Sequence, residues 1–175
     1  MDVIEAIERR RSIRRYKDDP VSLELMEKLI EAGQWAPTGA NRQHWKFIAV
    51  TDPRTMKMVK RVSSMMWGES PAAILICRDL TRSKMPPEAW TGDAAGFPSQ
   101  NIMLAAYSLG LRTCAIGGFN RKAIRDLLEI PDEMAPLLLI TVGYPDEKPE
   151  IRPRRAMKEI AYHNSCKIPW RVSDE

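Results

Sequence analysis

The chain has 175 residues, 44% of them hydrophobic, which is enough for one globular domain with a buried core. Its formal net charge of +4 permits attraction of anionic ligands but does not require nucleic acid as a partner. Three scattered cysteines, no signal-peptide pattern and an apolar run too short to span a membrane (136–142) predict a cytoplasmic protein.

The positive charge is concentrated in two clusters. Residues 9–17 hold six basic residues and no acid, and residues 152–158 hold four more with none. Guanidinium groups match phosphate oxygens in a bidentate way, and a serine hydroxyl adds one more donor. We therefore interpret Arg10, Ser12 and Arg14 as contacts to a phosphorylated cofactor. A solvated basic turn is the alternative for the first cluster alone, and a fold that joins both clusters would concentrate them into one anion site.

The first half of the chain predicts two helices, a loop, a strand, a helix and a strand. Residues 2–9 form a helix with Asp2 as its N-cap, and its apolar stripe is Val3, Ile4, Ala6 and Ile7. Ser22 caps a second helix that runs to about Gln34. A strand over 46–51, a helix over 53–66 and a strand buried on both faces over 72–77 follow the loop.

The loop over 35–45 combines proline, glycine and asparagine with two tryptophans. Loops that hold two tryptophans usually fold over a flat ligand or pack into an interface. Anchoring to the core of the same chain is the alternative.

The second half begins with an irregular segment over 80–90, a lid or a plain connector. A long helix starts at Thr91 or Gly92 and ends near Leu109, and Pro98 should kink it unless the helix begins there. The rest predicts a strand over 112–116, a glycine turn, a helix from Asn120 to about 129, a strand over 136–143 and a short helix over 156–162. We expect the tail over 146–175, with Trp170 as an apolar anchor, to dock on a neighbouring subunit.

The element order favours an α+β fold in a single domain over 1–175. Two helices precede any strand, and neither a GxGxxG fingerprint nor a P-loop is present. A central sheet flanked by helices is therefore expected rather than a doubly wound dinucleotide fold.

Five blocks of this sequence resemble the FMN-dependent nitroreductase family, in the family's order and over nearly the whole chain. They are RRSIRRY (10–16), APTGANRQHW (36–45), DAAGFPSQNIMLAAYSLGLRTCAIGGF (93–119), LLLITVGYP (137–145) and RPRR (152–155). The resemblance implies a mostly antiparallel sheet flanked by helices in an intertwined homodimer, with FMN bound at the subunit interface. It also implies ping-pong chemistry, in which NADH or NADPH reduces FMN and a small acceptor such as a nitroaromatic or a quinone then reoxidises it.

The resemblance also implies roles by position. Phosphate contacts would be Arg10, Arg11 and Ser12, with Arg152 and Arg154 as a second clamp. Arg14 would lie near the flavin pyrimidine, and the loop that crosses from the partner would be Pro37, Thr38, Gly39 and Asn41. The segment along the reactive edge of the flavin would be Ala115, Ile116, Gly117 and Gly118, although these glycines also suit an ordinary turn.

Some features depart from the family or stay open. Segment 80–90 is shorter than in many relatives, and Gly117 stands where some of them have an acidic residue. A second pyrimidine contact is expected from residues 64–69, without a chosen residue. Neither His44 nor His163 is an obvious acid or base, and we expect no metal site.

Three functions compete. The first is an FMN-dependent NAD(P)H oxidoreductase, and the second is an FMN-binding protein without turnover, for storage or sensing. The third is a small nucleic-acid-binding protein, which is disfavoured because only Tyr16 places an aromatic ring beside the basic residues.

Overall fold

A computed structural model describes residues 2–83 and 92–170. Most of the segment predicted as a lid or connector (80–90), and Thr91, lie outside these ranges. The described residues form six α-helices: α1 (Val3–Arg9), α2 (Leu23–Gln34), α3 (Pro53–Arg61), α4 (Phe97–Ser108), α5 (Arg121–Leu127) and α6 (Met157–Ile160). They also form four strands: β1 (Trp45–Val50), β2 (Ala72–Asp79), β3 (Arg112–Ile116) and β4 (Met134–Gly143). Among these residues, no helix is both long and apolar enough to cross a bilayer.

The four strands form one antiparallel sheet in the order β1-β2-β4-β3. The two central strands are almost entirely buried, which explains why their sequences are continuous apolar runs rather than alternating ones. β1 and β3 are the outer strands, so one edge of each lies open to other parts of the chain or to ligands. The predicted α+β class with a mostly antiparallel sheet is confirmed.

Helices cover both faces of the sheet. Ile74, Ile76 and Ile140 point to the face packed by α2 and α4. The alternate residues Leu75 and Leu139 point to the face packed by α3 and α5. Since side chains alternate along a strand, each central strand serves two separate cores in a three-layer arrangement.

Two of the three predicted helix caps form and two boundaries differ. The Asp2 side chain, predicted to cap α1, makes no capping hydrogen bond. The side chains of Ser22 and Asn120 accept hydrogen bonds from the first turns of α2 and α5, as expected. Helix α3 ends at Arg61 rather than near residue 66, because the chain then turns to hydrogen-bond with the turn after β3, where the Gly118 carbonyl accepts from the Met65 amide. A π-helical turn (Gly92–Gly96) precedes α4 and puts Pro98 in the first turn, where proline is tolerated.

The apolar stripe predicted for α1 is mostly not buried within this chain. Ala6 is buried, but Val3, Ile4 and Ile7 are 61%, 54% and 48% exposed. The C-terminal segment is similar, since residues 151–160 are exposed throughout and Ile151 is 76% exposed. Both ends of the chain therefore carry apolar surface that its own fold leaves uncovered.

Candidate functional site

The arginine-rich segment is fixed to the sheet rather than forming a free basic turn. The Ile13 amide donates to the Thr113 carbonyl at 3.0 Å, and Ser12 forms a bridge with the same residue in β3. Further along, the Lys17 amide donates to the Tyr144 carbonyl at 2.9 Å, just beyond β4. The sheet thus holds residues 10–17 in one place along its β3 edge.

The same edge continues from Thr113 towards the glycine turn. Hydrogen-bonding groups alternate in direction along a strand, so the main chain of Ala115 faces the same side as that of Thr113. Ala115 and Gly117 are exposed, whereas Cys114 and Ile116 are buried. This pattern leaves main-chain groups and open space beside the turn at Gly117, where an added Cβ would meet nothing within 4 Å.

A loop over residues 63–68 forms one wall beside this turn. The Met65 amide and the Ser64 hydroxyl both donate to the Gly118 carbonyl, at 3.3 and 3.4 Å. A Cβ on Gly118 would lie 2.2 Å from Cγ of Met65, so this position is too tight for a side chain unless Met65 moves. The loop and the glycine turn therefore form one packed unit.

The same loop contacts Arg14. A Cβ on Gly68 would lie 1.9 Å from the Arg14 carbonyl oxygen, and the Arg14 guanidinium carbon lies 5.4 Å from the centroid of the Trp67 ring. Arg14 and the loop line a narrow pocket with a cavity volume of only about 10 Å³. The other residues around it are Tyr16, Met65, Met66, Cys114, Ile116 and Thr141.

Arg10 is the most unusual of the predicted phosphate contacts. Its Nε atom is buried and has no hydrogen-bond partner among the described residues. Burial lowers the pKa of Arg10, and the positive charges of Arg11 and Arg154 lower it further. The charge of Arg154 therefore acts on Arg10, although the two residues belong to different basic clusters far apart in sequence. A desolvated guanidinium among like charges is stabilised by an anion.

The remaining basic residues differ in how they are held. One guanidinium nitrogen of Arg11 donates to the carbonyls of Glu8 and Arg10, so this side chain also closes α1. Arg152 is exposed, and among the described residues no hydrogen bond or ion pair links it to the first cluster. In the second cluster, Arg154 is therefore the residue whose charge acts on Arg10, although Arg154 itself is exposed.

Ser12 and Tyr16 face the buried side of the segment. Burial raises the pKa of the Cys114 thiol, while the nearby charge of Arg14 and the Ser12 hydroxyl act to lower it. The Tyr16 hydroxyl donates to the Ile13 carbonyl at 2.7 Å and lies 2.8 Å from Oγ1 of Thr141. Burial raises the pKa of Tyr16 well above its ordinary value, so Tyr16 is a neutral phenol.

Glu147 fixes the main chain of the arginine segment. Its carboxylate accepts hydrogen bonds from the amides of Arg14 and Arg15, and it also lies 3.8 Å from the Arg15 guanidinium. The hydrogen bond from Arg14 is the main cause that lowers the pKa of Glu147. Only the fold brings this acid to the arginines, since it lies more than 130 residues away in sequence.

This contact predicts a pH-dependent contribution to stability. Replacing Glu147 by glutamine should lower the free energy of unfolding by about 1 kcal/mol at neutral pH, because charged acceptors bind amides more strongly than neutral ones. Since the folded pKa of Glu147 is depressed, the difference should be fully present above about pH 4.5 and should disappear as pH falls through the lowered value. Urea unfolding of both proteins between neutral and acidic pH measures it. The matched control is Glu150→Gln, at an exposed position; an equal loss there would contradict this role of Glu147.

The loop predicted to cross from a partner lies apart from the other site residues in one chain. Pro37, Gly39 and Asn41 are exposed, and Thr38 closes the loop by accepting the Gln43 amide at 3.1 Å. Among the described residues, no hydrogen bond or ion pair joins this loop to the arginine segment or to the β3 turn. Asn41 has a φ of 52°, a left-handed conformation that asparagine tolerates better than most residues.

Several residues of this site could not be chosen from the sequence. Trp67 and Met65 lie in the region expected to supply a flavin contact, but only the fold shows that they face Arg14 and Gly118. Thr113 and Glu147 carry no motif of their own. A tryptophan beside a glycine in a short loop was the one available signal.

The chain is similar to known proteins of one family. The nitroreductase family model matches residues 7–67 and 59–144. A Methanothermobacter thermautotrophicus protein named as a candidate NADH dehydrogenase/NAD(P)H nitroreductase is 37% identical over 158 residues, covering 87% of this chain and 82% of that protein. The Bacillus subtilis FMN reductase [NAD(P)H] is 29% identical over 184 residues, covering 94% of this chain and 74% of its own length.

A solved structure gives the same result for the fold. A crystal structure from Parabacteroides distasonis, with the same candidate NADH dehydrogenase/NAD(P)H nitroreductase name, superposes with a TM-score of 0.83 at 34% identity. The match covers 93% of this chain and 98% of that chain. The candidate site consists of the sheet edge, the arginine segment and the glycine turn. The family model and the relatives show that the chain belongs to the nitroreductase family.

Proposed function

We propose that this protein is an FMN-dependent NAD(P)H oxidoreductase. The observation that carries the proposal is the half-buried guanidinium of Arg10, whose Nε has no partner among the described residues and on which the charge of Arg154 acts. The names of the relatives, which include an FMN reductase and NAD(P)H nitroreductases, support the same assignment.

The residues at the β3 edge fit the parts of FMN. Arg10 and Arg154 would bind the phosphate, with the Ser12 hydroxyl as a further donor. The open space at Gly117 leaves room for the edge of the ring system, and an exposed main-chain amide there can donate to it. Arg14, held by Trp67 and by its main-chain contact to Glu147, would place a cation beside the pyrimidine. When bound, FMN would supply ping-pong hydride transfer from reduced nicotinamide to a small acceptor such as a nitroaromatic or a quinone.

The same proposal includes a homodimer with a shared site. Trp35, Leu23 and Ile151 are 81%, 73% and 76% exposed. Large apolar side chains with this much exposed surface are typical of an interaction surface. A second copy that covers α1, both ends of α2 and the tail over 146–175 would bury this surface. It would also bring the loop over 37–41 to the site of the other copy.

The first test concerns the cofactor and its turnover. The purified protein should be yellow and should release FMN, not FAD, on denaturation. Anaerobic addition of NADH or NADPH should bleach the flavin absorbance at a rate compatible with turnover, typically about 1–1,000 per second. A chain that binds FMN but does not bleach would be a flavin carrier or sensor instead, and a chain that cannot be loaded with FMN would contradict both functions.

The second test concerns assembly. Light scattering should give twice the mass of the 20.0 kDa chain. Trp35→Glu places a charge in the exposed apolar surface and should shift the particle towards the monomer, with loss of FMN, because the shared site is then incomplete. Lys122→Glu, at an exposed position on α5, is the control. A folded monomer that retains stoichiometric FMN would contradict the shared site.

A further inference from the structure

A second cleft lies beside the proposed flavin site, between α3 and the segment over 16–20. Its cavity volume is about 210 Å³, below the range of about 300–1,000 Å³ typical of pockets for drug-sized ligands, so it suits only a compact ligand. Tyr16 and Met66 line both this cleft and the narrow pocket beside Arg14. The other lining residues of the two cavities differ, so this α3 cleft is separate from the residues assigned to FMN.

The floor of the α3 cleft is apolar and its shape is well defined. Met56 and Met66 are only 4% and 6% exposed, and their flexible thioethers can adapt to a flat or irregular ligand. The ring of Tyr16 is held in place by the two contacts of its hydroxyl group. Three prolines, which have restricted backbones, complete the apolar lining: Pro20, Pro53 and Pro71.

The rim of the α3 cleft is positively charged. Lys17, Lys57 and Lys60 line it, against the carboxylates of Asp18 and Glu69. Lys60 is already paired with Glu69 at 3.4 Å, whereas Lys17 and Lys57 form no ion pair among the described residues. Helix α3 contains no acidic residue, so its own charge is positive throughout.

We propose that the α3 cleft is a second ligand site, which binds a small organic anion with an aromatic or other apolar body. The apolar part would lie on Met56 and Met66, and the anionic group would be held by Lys17 and Lys57. A carboxylate or a sulfonate fits this chemistry equally, because an ammonium group acts as a point charge. A fully polar anion such as inorganic phosphate would leave the apolar floor unused.

Equilibrium dialysis of the FMN-loaded protein against naphthoate tests this site. We expect one site per chain with a Kd of about 1 mM or tighter, as expected for a compact ligand of this size. The double variant Lys17→Gln/Lys57→Gln should weaken binding about fivefold or more, since it removes two charge contacts. The neutral analogue naphthalenemethanol should bind the unchanged protein more weakly by a similar factor.

The matched control is Arg54→Gln, which removes one charge from α3 at a position that does not line the cleft. Its affinity for naphthoate should stay within about twofold of the original. Three outcomes would overturn the proposal: no binding to the original protein, binding that survives the loss of both lysines, or an equal loss in Arg54→Gln. Binding that survives the loss of both lysines and also perturbs the flavin absorbance would place naphthoate on the flavin instead.

Discussion

Replacing Arg10 by alanine is expected to weaken FMN binding by at least tenfold. Loss of a hydrogen bond to a charged group costs about 1.5–3 kcal/mol, which corresponds to roughly ten- to 150-fold in affinity. Arg10 should be near the upper end of this range, because its guanidinium is already partly desolvated and so loses little hydration on binding. Fluorescence titration of the flavin-free protein with FMN measures the change, since flavin emission usually changes when the ring becomes buried.

The stability of the flavin-free protein should respond differently. The Nε atom of Arg10 is buried without a partner among the described residues, and nearby positive charges oppose its own. Removing it should therefore leave the free energy of unfolding within about 1 kcal/mol of the original, or raise it slightly. The added stability that saturating FMN gives should fall by about 1.4 kcal/mol for each tenfold loss of affinity.

Two further variants separate a local contact from net charge. Arg154→Ala should also weaken FMN binding about tenfold or more, because its guanidinium would lose a charged hydrogen bond to the same phosphate. Arg9→Ala removes the same charge one residue away, where the side chain is 68% exposed and ion-paired with Glu5. Its FMN affinity should stay within about twofold. Unchanged affinity in Arg10→Ala, or an equal loss in Arg9→Ala, would remove Arg10 from the phosphate site.

The sequence predicts most of the fold because the relevant signals are local. Continuous apolar runs identify the central strands β2 and β4, and the cap residues Ser22 and Asn120 fix the starts of two helices. The boundary of α3 fails for a non-local reason. Residues 62–66 keep a helix-compatible composition, but the packing of Met65 on Gly118 outweighs that propensity.

The candidate site is only partly readable from sequence for the same reason. Arg10 and Arg14 lie in a cluster whose charge is visible, and Gly117 lies in a turn that glycine marks. The role of Glu147 cannot be predicted from the sequence, because its carboxylate accepts from main-chain amides, which any residue could provide. The apolar stripe on α1 is visible in the sequence, but its own chain leaves most of it exposed. An apolar stripe indicates a surface that favours burial without indicating which chain covers it.

The second large effect is expected at Gly68. An alanine Cβ there would lie 1.9 Å from the carbonyl oxygen of Arg14 and 3.1 Å from its carbonyl carbon. Both atoms are main chain, so no side-chain rotation relieves the contact, and the loop must move away from the arginine segment. The expected loss in the free energy of unfolding is about 3 kcal/mol, the upper part of the range for overpacking. Urea unfolding of the flavin-free protein, at one fixed protein concentration, measures it.

Gly117→Ala is the matched control, because its Cβ would meet nothing within 4 Å. Its stability should stay within about 1 kcal/mol of the original, or rise slightly as the unfolded chain loses freedom. If Gly68→Ala is as stable as Gly117→Ala, the loop over 63–68 does not pack on Arg14 as described.

Gly68→Ala should also weaken FMN binding, since the displaced loop carries Trp67 away from the Arg14 guanidinium. Stability and affinity should therefore fall together in this variant, whereas in Arg10→Ala only affinity should fall. These two signatures distinguish a residue that builds the site from a residue that contacts the ligand. A Gly68→Ala protein that unfolds early but binds FMN with unchanged affinity would show that the flavin does not depend on this loop.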